Sequence, residues 1–161
     1  MTRSDASLFV YRNGTEHAYL LLYDDDMILT DSSTQLLQRI IERLRSEFAI
    51  KDMGALRFFL SIDVQRGADG FFLSQKRYAE DLLQPAGMTS SLPISTAIIS
   101  KAKVSASSGT PLSDPSFYCS LTGGLQYLTI TRPDISYAVQ QTCLHMHDPR
   151  DVHMALVKRI L

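Results

Sequence analysis

The sequence predicts an α+β fold, in which antiparallel hairpins with a packed helix are followed by an α-helical region. Two observations support this. Residues 8–74 contain apolar, strand-like runs joined by short turn-forming segments, with one amphipathic helix among them. Beyond residue 115, apolar residues recur at helical spacing. Strands and a helix in this order pack the helix on one face of an antiparallel sheet.

The composition is that of an ordinary folded protein. The 161 residues suit one domain or part of a larger one, and 45% of them are apolar. A net charge of −1 argues against binding nucleic acid by bulk electrostatics but is compatible with a local groove. No apolar run approaches a membrane span, and the N-terminus has no signal-like segment. We therefore expect an intracellular protein, cytoplasmic or nuclear, that is neither secreted nor bound to a membrane.

Both ends of the sequence interrupt a structural pattern. The chain opens almost directly into a strand-like run and stops in mid-helical pattern without a capping glycine. This predicts a fragment of a longer protein. The two cysteines, Cys119 and Cys143, lack metal-type spacing and are expected to be free thiols.

The first hairpins frame three consecutive acids. Residues 8–12 are predicted as a strand, with a turn at Asn13-Gly14 and a second strand over residues 16–23. The acids at 24–26 then reverse the chain, and residues 27–30 return as a third strand. Antiparallel pairing places the carboxylates at the tip of a hairpin, where ions and substrates can reach them.

The acidic turn is electrostatically unfavourable unless something compensates it. Adjacent carboxylates resist ionising together, and a divalent cation with oxygen ligands relieves that repulsion. A solvated acidic turn is the alternative. Strand alternation predicts that Asp24 points away from Asp25, toward the packed face, where unpaired burial is costly or forces protonation. An EF-hand loop is excluded because Ile28 stands where the third oxygen ligand belongs.

An amphipathic helix follows the third strand. Ser32 is predicted as its N-cap, with Gln35 as the capping-box partner. Its apolar face is formed by residues at helical spacing: Leu36, Leu37, Ile40, Ile41, Leu44 and Phe48.

A second hairpin and further helices complete the chain. Residues 56–65 are predicted as a strand and 71–74 as its partner. A helix begins at Gln75 and extends toward Gly87, but Pro85 should end or kink it early. Residues 89–115 form a polar connection. Three helices are then predicted: 115 to about 129 with Ser113 or Asp114 as cap, 134 to about 147, and 151–161.

Four segments resemble a known family. They are residues 20–26 (LLLYDDD), 59–64 (FLSIDV), 72–79 (FLSQKRYA) and 125–135 (LQYLTITRPDI). Together they resemble the reverse transcriptase region of the copia-type LTR retrotransposon Pol polyprotein, just before its ribonuclease H. The resemblance covers nearly the whole chain. It implies that residues 1–77 are the C-terminal part of the palm, with a Tyr-x-Asp-Asp hairpin and a primer-grip-like hairpin. Residues 78–161 would be a thumb-like or connection-like helical region.

The resemblance implies an RNA-directed DNA polymerase, a nucleotidyltransferase that extends a primer 3′-hydroxyl with two Mg²⁺ (or Mn²⁺) ions. By position in the motif, Asp25 and Asp26 are the catalytic, metal-binding pair, and Tyr23 lies beside the primer terminus. The implied partners are an RNA or DNA template–primer duplex, the incoming dNTP, and the remaining Pol polyprotein, with fingers upstream and ribonuclease H downstream.

Further primer or nucleic-acid contacts are implied outside the acidic turn. They are Phe59, Leu60 and Ser61 in the primer grip, Gln75 and Lys76 at the palm–thumb junction, and Gly123 and Gln126 in the thumb helix. Glycine inside a helix costs about 1 kcal/mol relative to Ala. Close approach to a nucleic-acid backbone and tight helix–helix packing explain Gly123 and Gly124 equally well.

Three departures from the family pattern bear on activity. Asp24 stands where the family has a small or apolar residue, and Ser61 where it usually has Gly. The family's third metal-binding Asp and its fingers lie upstream of these residues. We therefore expect the chain to be inactive alone. The alternative is a non-catalytic retroelement remnant, inert or weakly binding nucleic acid.

One further cluster invites a metal site. Cys143, His145, His147 and His153 lie close in sequence. Their spacing fits no standard zinc finger, and His145 is predicted to lie on the opposite helix face from Cys143 and His147. Ordinary helix surface is the favoured interpretation.

Overall fold

The computed structural model describes residues 5–94, 97 and 108–161. They fall into two compact units, Met1–Phe59 and Leu60–Leu161. Their architecture is mixed: the described residues form two small antiparallel sheets and five helices, and this confirms the predicted α+β class. Of the predicted connection over residues 89–115, residues 95, 96 and 98–107 lie outside the described part of the chain. No helix of the described part is long and apolar enough to cross a membrane.

The first unit is built on a three-stranded antiparallel sheet. Strand β1 (Leu8–Asn13) pairs with β2 (Glu16–Tyr23), which pairs with β3 (Asp26–Asp31). Helix α1 (Thr34–Glu47) follows, and a two-residue strand, β4 (Phe58–Phe59), ends the unit. The predicted hairpins are confirmed. Both connections within the sheet are two residues long, because each strand is paired up to its last residue.

The first turn is shifted by one residue from its predicted position. Asn13 belongs to β1 and pairs with Glu16, so the loop is Gly14-Thr15. Gly14 adopts a φ of 59°, a left-handed conformation that glycine reaches without steric cost.

The predicted cap of α1 is wrong by one residue. Ser33 is the N-cap, and its Oγ accepts a hydrogen bond from the Leu36 amide at 3.3 Å. With Ser33 as cap the third helical residue is Leu36, so Gln35 cannot complete a capping box. Ser32 instead prolongs the edge of the sheet, because its Oγ and its amide bond the His17 amide and carbonyl at 3.0 and 2.9 Å.

The core of the first unit is small. Among its described residues only Ala18 in β2 and Leu36 in α1 are fully buried. Large apolar side chains at its C-terminal end stay exposed, as Phe48 and Met53 show with 62% and 80% exposure. The unit therefore gains little stability from apolar burial.

The prediction of one continuous strand over residues 56–65 is wrong, because two separate strands occupy this range. Strand β4 ends at Phe59 and β5 (Ile62–Arg66) begins three residues later. Leu60 and Ser61 form a turn between them, with φ values of 47° and 62°. Left-handed residues cannot continue a pleated strand, and two in succession are typical of a type I′ turn. Strand β6 (Phe71–Ser74), which pairs with β5, lies as predicted.

The second unit is mainly helical. Its helices are α2 (Lys76–Leu83), α3 (Pro115–Leu128), α4 (Ser136–Cys143), preceded by a 3-10 turn at Pro133–Ile135, and α5 (Asp151–Ile160). Helix α2 ends before Pro85, as predicted. Asp114 rather than Ser113 caps α3, and its Oδ1 accepts from the Phe117 amide at 3.1 Å. The helix predicted over 134–147 is shorter and ends at Cys143.

The second unit has a well-packed core. Its largest fully buried side chains come from α3, α4 and α5, and they include Tyr118, Leu121, Leu125, Val139 and Val157. The Tyr118 hydroxyl donates to the Thr142 carbonyl at 2.7 Å. Burial raises the pKa of Tyr118 to about 12, because the phenolate would lose its hydration.

Candidate functional site

The acidic turn is a two-residue loop closed by a strand pair. Tyr23 pairs with Asp26, so Asp24 and Asp25 form the loop itself. Asp24 adopts a φ of 51°, the left-handed conformation that Gly14 has in the preceding loop. Aspartate tolerates this region better than most residues with a side chain.

The predicted direction of Asp24 is wrong. Its side chain is exposed to solvent and does not enter a packed face. The prediction assumed that strand alternation continues through residue 24. A loop residue lies outside the ladder, so alternation does not constrain it. Asp24 therefore suffers no burial penalty.

The remaining two acids lie beside Tyr23 at the same tip. Asp25 is the second loop residue and Asp26 the first residue of β3, and both are exposed. Directly paired residues project to the same side of a sheet, so Tyr23 and Asp26 share a face. Tyr23 is 57% exposed. No ion pair among the described residues involves any of the three acids.

The carboxylates fit part of a metal site. Neighbouring carboxylate oxygens are the hard ligands that Mg²⁺ and Mn²⁺ favour. Within the described part of the chain, no group of three or more His, Cys, Asp or Glu side chains is placed to hold a metal ion. Metal binding by Asp25 and Asp26 stays a prediction.

The segment predicted as the primer grip contains the second left-handed turn. Leu60 and Ser61 are half-buried, and the hydroxyl of Tyr127 in α3 donates a hydrogen bond to the Leu60 carbonyl oxygen. Sequence reasoning did not select Tyr127 as a site residue. Its partner Leu60 lies 67 positions away, and no local sequence pattern predicts a contact over that distance.

The two residues predicted at the start of α2 differ in access. Gln75 is only 3% exposed, and its Oε1 accepts from the Thr131 hydroxyl at 2.8 Å. Its Nε2 is buried without a hydrogen-bond partner in the described chain. The Lys76 side chain is 81% exposed and lies 4.0 Å from Glu80. A nucleic acid can reach Lys76 but not the Gln75 side chain.

The two glycines of α3 have different surroundings. A Cβ at Gly124 would lie 2.4 Å from Leu82 Cδ2 and 3.3 Å from the Tyr78 hydroxyl, so Gly124 permits close packing with α2. A Cβ at Gly123 would meet nothing within 4 Å. Gln126, three residues after Gly123, is exposed. Residues at this spacing are neighbours on a helix surface.

The Cys/His cluster is only partly helix surface. The rings of His145 and His153 stack with centroids 3.8 Å apart. His153 is fully buried, and its Nδ1 accepts from the Arg150 amide at 3.1 Å, so the surface interpretation is wrong for this residue. Helix α4 ends at Cys143, so helical facing does not apply to the residues after it. Burial, with the neighbouring His153 and His147, lowers the pKa of His145. Both cysteines are free thiols, as predicted.

Comparison with known proteins identifies the family. A family model described as "Reverse transcriptase (RNA-dependent DNA polymerase)" matches residues 2–100, more than half of the chain. The chain therefore belongs to the reverse transcriptase family.

Its relatives specify the type. The chain is 42% identical over 158 residues to the Retrovirus-related Pol polyprotein from transposon RE1 of Arabidopsis thaliana. The alignment covers 98% of this chain and 11% of that polyprotein. It is 48% identical over 143 residues to an uncharacterized mitochondrial protein of the same plant. That alignment covers 89% of this chain and 59% of the mitochondrial protein. Identity to the Pol polyprotein from transposon TNT 1-94 of Nicotiana tabacum is 30% over 172 residues, covering 99% of this chain and 13% of that one. Within the family, this is a copia-type retrotransposon Pol sequence. No solved structure matches it.

Proposed function

We propose that this chain supplies part of the palm and the thumb of a copia-type RNA-directed DNA polymerase. The observation that carries the proposal is the hairpin tip, where Asp25 in the two-residue loop and Asp26 at the start of β3 are both exposed beside Tyr23. In this proposal residues 1–77 belong to the palm and residues 78–161 to the thumb. The reaction joins the α-phosphate of a dNTP to a primer 3′-hydroxyl.

Asp25 and Asp26 would hold Mg²⁺ or Mn²⁺. When bound, such ions activate the primer hydroxyl and neutralise charge on the transferring phosphate. The short loop fixes both carboxylates at the end of a paired ladder, which limits their freedom before substrate binds. Other ligands would come from the dNTP phosphates and from the upstream palm Asp that the family pattern contains. Asp24 is exposed and lies outside the ladder, so it need not disturb this pair.

The proposed nucleic-acid contacts divide into touching and supporting residues. Tyr23, Lys76 and Gln126 are exposed, and Gly123 leaves an opening on α3, so these residues would touch the primer–template. Gln75, buried with its side chain bound to Thr131, would support the neighbouring Lys76. Phe59, Leu60 and Ser61 would contact the primer strand through their turn.

A paramagnetic ion tests the proposed metal pair directly. Titrating Mn²⁺ into the isotope-labelled chain should broaden NMR signals at residues 24–27 before any others, because Mn²⁺ relaxes nearby nuclei. The double substitution Asp25→Asn/Asp26→Asn should abolish this broadening. Asp24→Asn is the matched control, since it removes one exposed carboxylate from the same loop, and it should leave most of the effect. Equal loss in the control would indicate non-specific attraction to an acidic tip.

The 161-residue chain should not extend a primer by itself, because two carboxylates of the expected three give an incomplete site. The test is primer extension on an RNA template with Mg²⁺ or Mn²⁺. Extension that disappears in Asp25→Asn would overturn this expectation.

A non-catalytic remnant is the second candidate. The mitochondrial relative favours it: 143 aligned residues make up 59% of that protein, whereas 158 make up 11% of the RE1 polyprotein, so the mitochondrial protein is much shorter. The genomic sequence upstream of Met1 separates the candidates. An in-frame palm segment with its Asp supports the polymerase, and stop codons there support the remnant.

A further inference from the structure

The turn at Leu60–Ser61 requires a conformation that its residues disfavour. Both have positive φ, at 47° and 62°. Side chains with a Cβ rarely occupy this region, and Leu in particular has no polar group that could bond its own backbone there. Such a turn persists only when its surroundings hold it.

One side chain of helix α3 binds the turn directly. The Tyr127 hydroxyl donates to the Leu60 carbonyl oxygen. In a two-residue turn the carbonyl of the first loop residue has no partner within the hairpin ladder. Tyr127 therefore binds a backbone group that exists in this orientation only while the turn is formed.

Tyr127 is itself fixed by the packing of α2 against α3. Its ring meets the Tyr78 ring edge to face, with centroids 5.2 Å apart and planes at 83°. One turn earlier on α3, Gly124 lets Leu82 approach to where a Cβ would stand. The ring cannot shift along the helix without disturbing its contact with Tyr78.

We infer that Tyr127 is a positioning residue, which couples the packing of α2 and α3 to the turn that places Leu60 and Ser61. The inference rests on the proposed function, in which that turn contacts the primer strand. The effect of Tyr127 on the primer is then indirect, because its hydroxyl binds the turn and not the nucleic acid. Thumb packing and primer placement are linked through this one hydroxyl.

The primary variant is Tyr127→Phe, which removes the hydroxyl and keeps the ring edge to face with Tyr78. The matched control is Tyr137→Phe, since Tyr137 is 67% exposed on α4 and loses the same atom. Amide exchange at residues 60–62 should accelerate about three- to tenfold in Tyr127→Phe, the effect of losing one hydrogen bond. Tyr137→Phe should leave it unchanged.

A fluorescent adenine analogue at the primer 3′ end reports placement. With the unmodified chain bound to this primer–template, the fluorescence should differ from that of the free duplex. In Tyr127→Phe it should return toward the free value, and in Tyr137→Phe it should not. Ser61→Gly added to Tyr127→Phe should restore slow amide exchange at residues 60–62, because glycine adopts positive φ without help. A merely destabilised helix pair would not be rescued by a change in the turn.

The outcomes separate the two proposals. If the unmodified chain binds no primer–template, the proposed function fails and the inference falls with it. If it binds but Tyr127→Phe changes neither exchange nor fluorescence, only the inference is overturned. Failure of Ser61→Gly to rescue would also overturn it, since the effect of Tyr127 would not pass through the turn.

Discussion

The two units of the chain are packed very differently. The eight largest fully buried side chains all lie in the second unit, in helices α3, α4 and α5. The first unit buries only Ala18 and Leu36 completely among its described residues. The acidic turn thus lies on the unit with the smaller core. A unit with little buried apolar area depends for its stability on local elements such as turns, caps and strand pairs.

The largest expected change in stability comes from truncating a leucine to alanine, compared between the two units. Leu125→Ala, in the second unit at 1% exposure, should lower the free energy of unfolding by about 3 kcal/mol, because it leaves a cavity in a closed core. Leu37→Ala, on the half-buried face of α1, should cost about 1 kcal/mol. Urea denaturation followed by residue-resolved hydrogen exchange measures both. Equal losses would show that the first unit packs as tightly as the second.

The glycine pair of α3 sharpens the comparison within the second unit. Gly124→Leu should destabilise it by about 2 kcal/mol, because α2 occupies the space and the core is overfilled. Gly123→Leu should stabilise it by about 0.5 kcal/mol or more, since the position is open and leucine favours the helix. Thermal unfolding of the two variants decides the sign at each position. A loss at Gly123 would mean that this side of α3 is also closed.

Alkaline pH should weaken the second unit. Burial raises the pKa of Tyr118 to about 12, whereas an unfolded tyrosine ionises near 10. The folded state then holds a proton that the unfolded state has lost, so stability falls as the pH rises from about 10 to about 12, by about 2 kcal/mol in total. Denaturation across this range measures the slope. Tyr118→Phe should flatten it; an unchanged slope would assign the effect to other groups.

Loss of a helix cap should have a small effect, and it should be similar in both units. Ser33→Ala removes the cap of α1 and Asp114→Ala that of α3, and each should cost about 1 kcal/mol because capping is local. The same loss is a larger share of stability in the thinly packed unit. Residue-resolved hydrogen exchange during denaturation would show this as earlier loss of protection in α1. A negligible cost for Ser33→Ala would contradict the assignment of Ser33 as the cap.

Sequence signals that act over a few residues predicted most of the fold. The hairpin strands, the amphipathic face of α1, the cap at Asp114 and the stop before Pro85 each follow from neighbouring residues. The errors have equally local causes. Ser32 and Ser33 are both competent caps, and the choice depends on the bond of Ser32 to His17 across the sheet.

The missed features of the candidate site depend on long-range contacts or on unusual turn residues. A Gly-containing turn is easily predicted, whereas Leu60-Ser61 has none of the residues that favour two successive positive φ values. Tyr127 and Thr131 reach their partners 67 and 56 positions away, so no spacing rule finds them. The direction of the Asp24 side chain was predicted wrongly because the sequence does not show at which residue the strand pairing ends.

The two-residue connection between β2 and β3 has a genetic consequence. Side chains change faces at every step along a strand, so a one-residue shift would move Asp26 to the face opposite Tyr23. Residue 24 lies outside the strand pairs and is exposed, so its identity can change without altering the hairpin. Insertion or loss of a single codon in the loop would preserve the reading frame and still part the two residues. The number of residues in this loop is therefore a stricter constraint than the identity of residue 24.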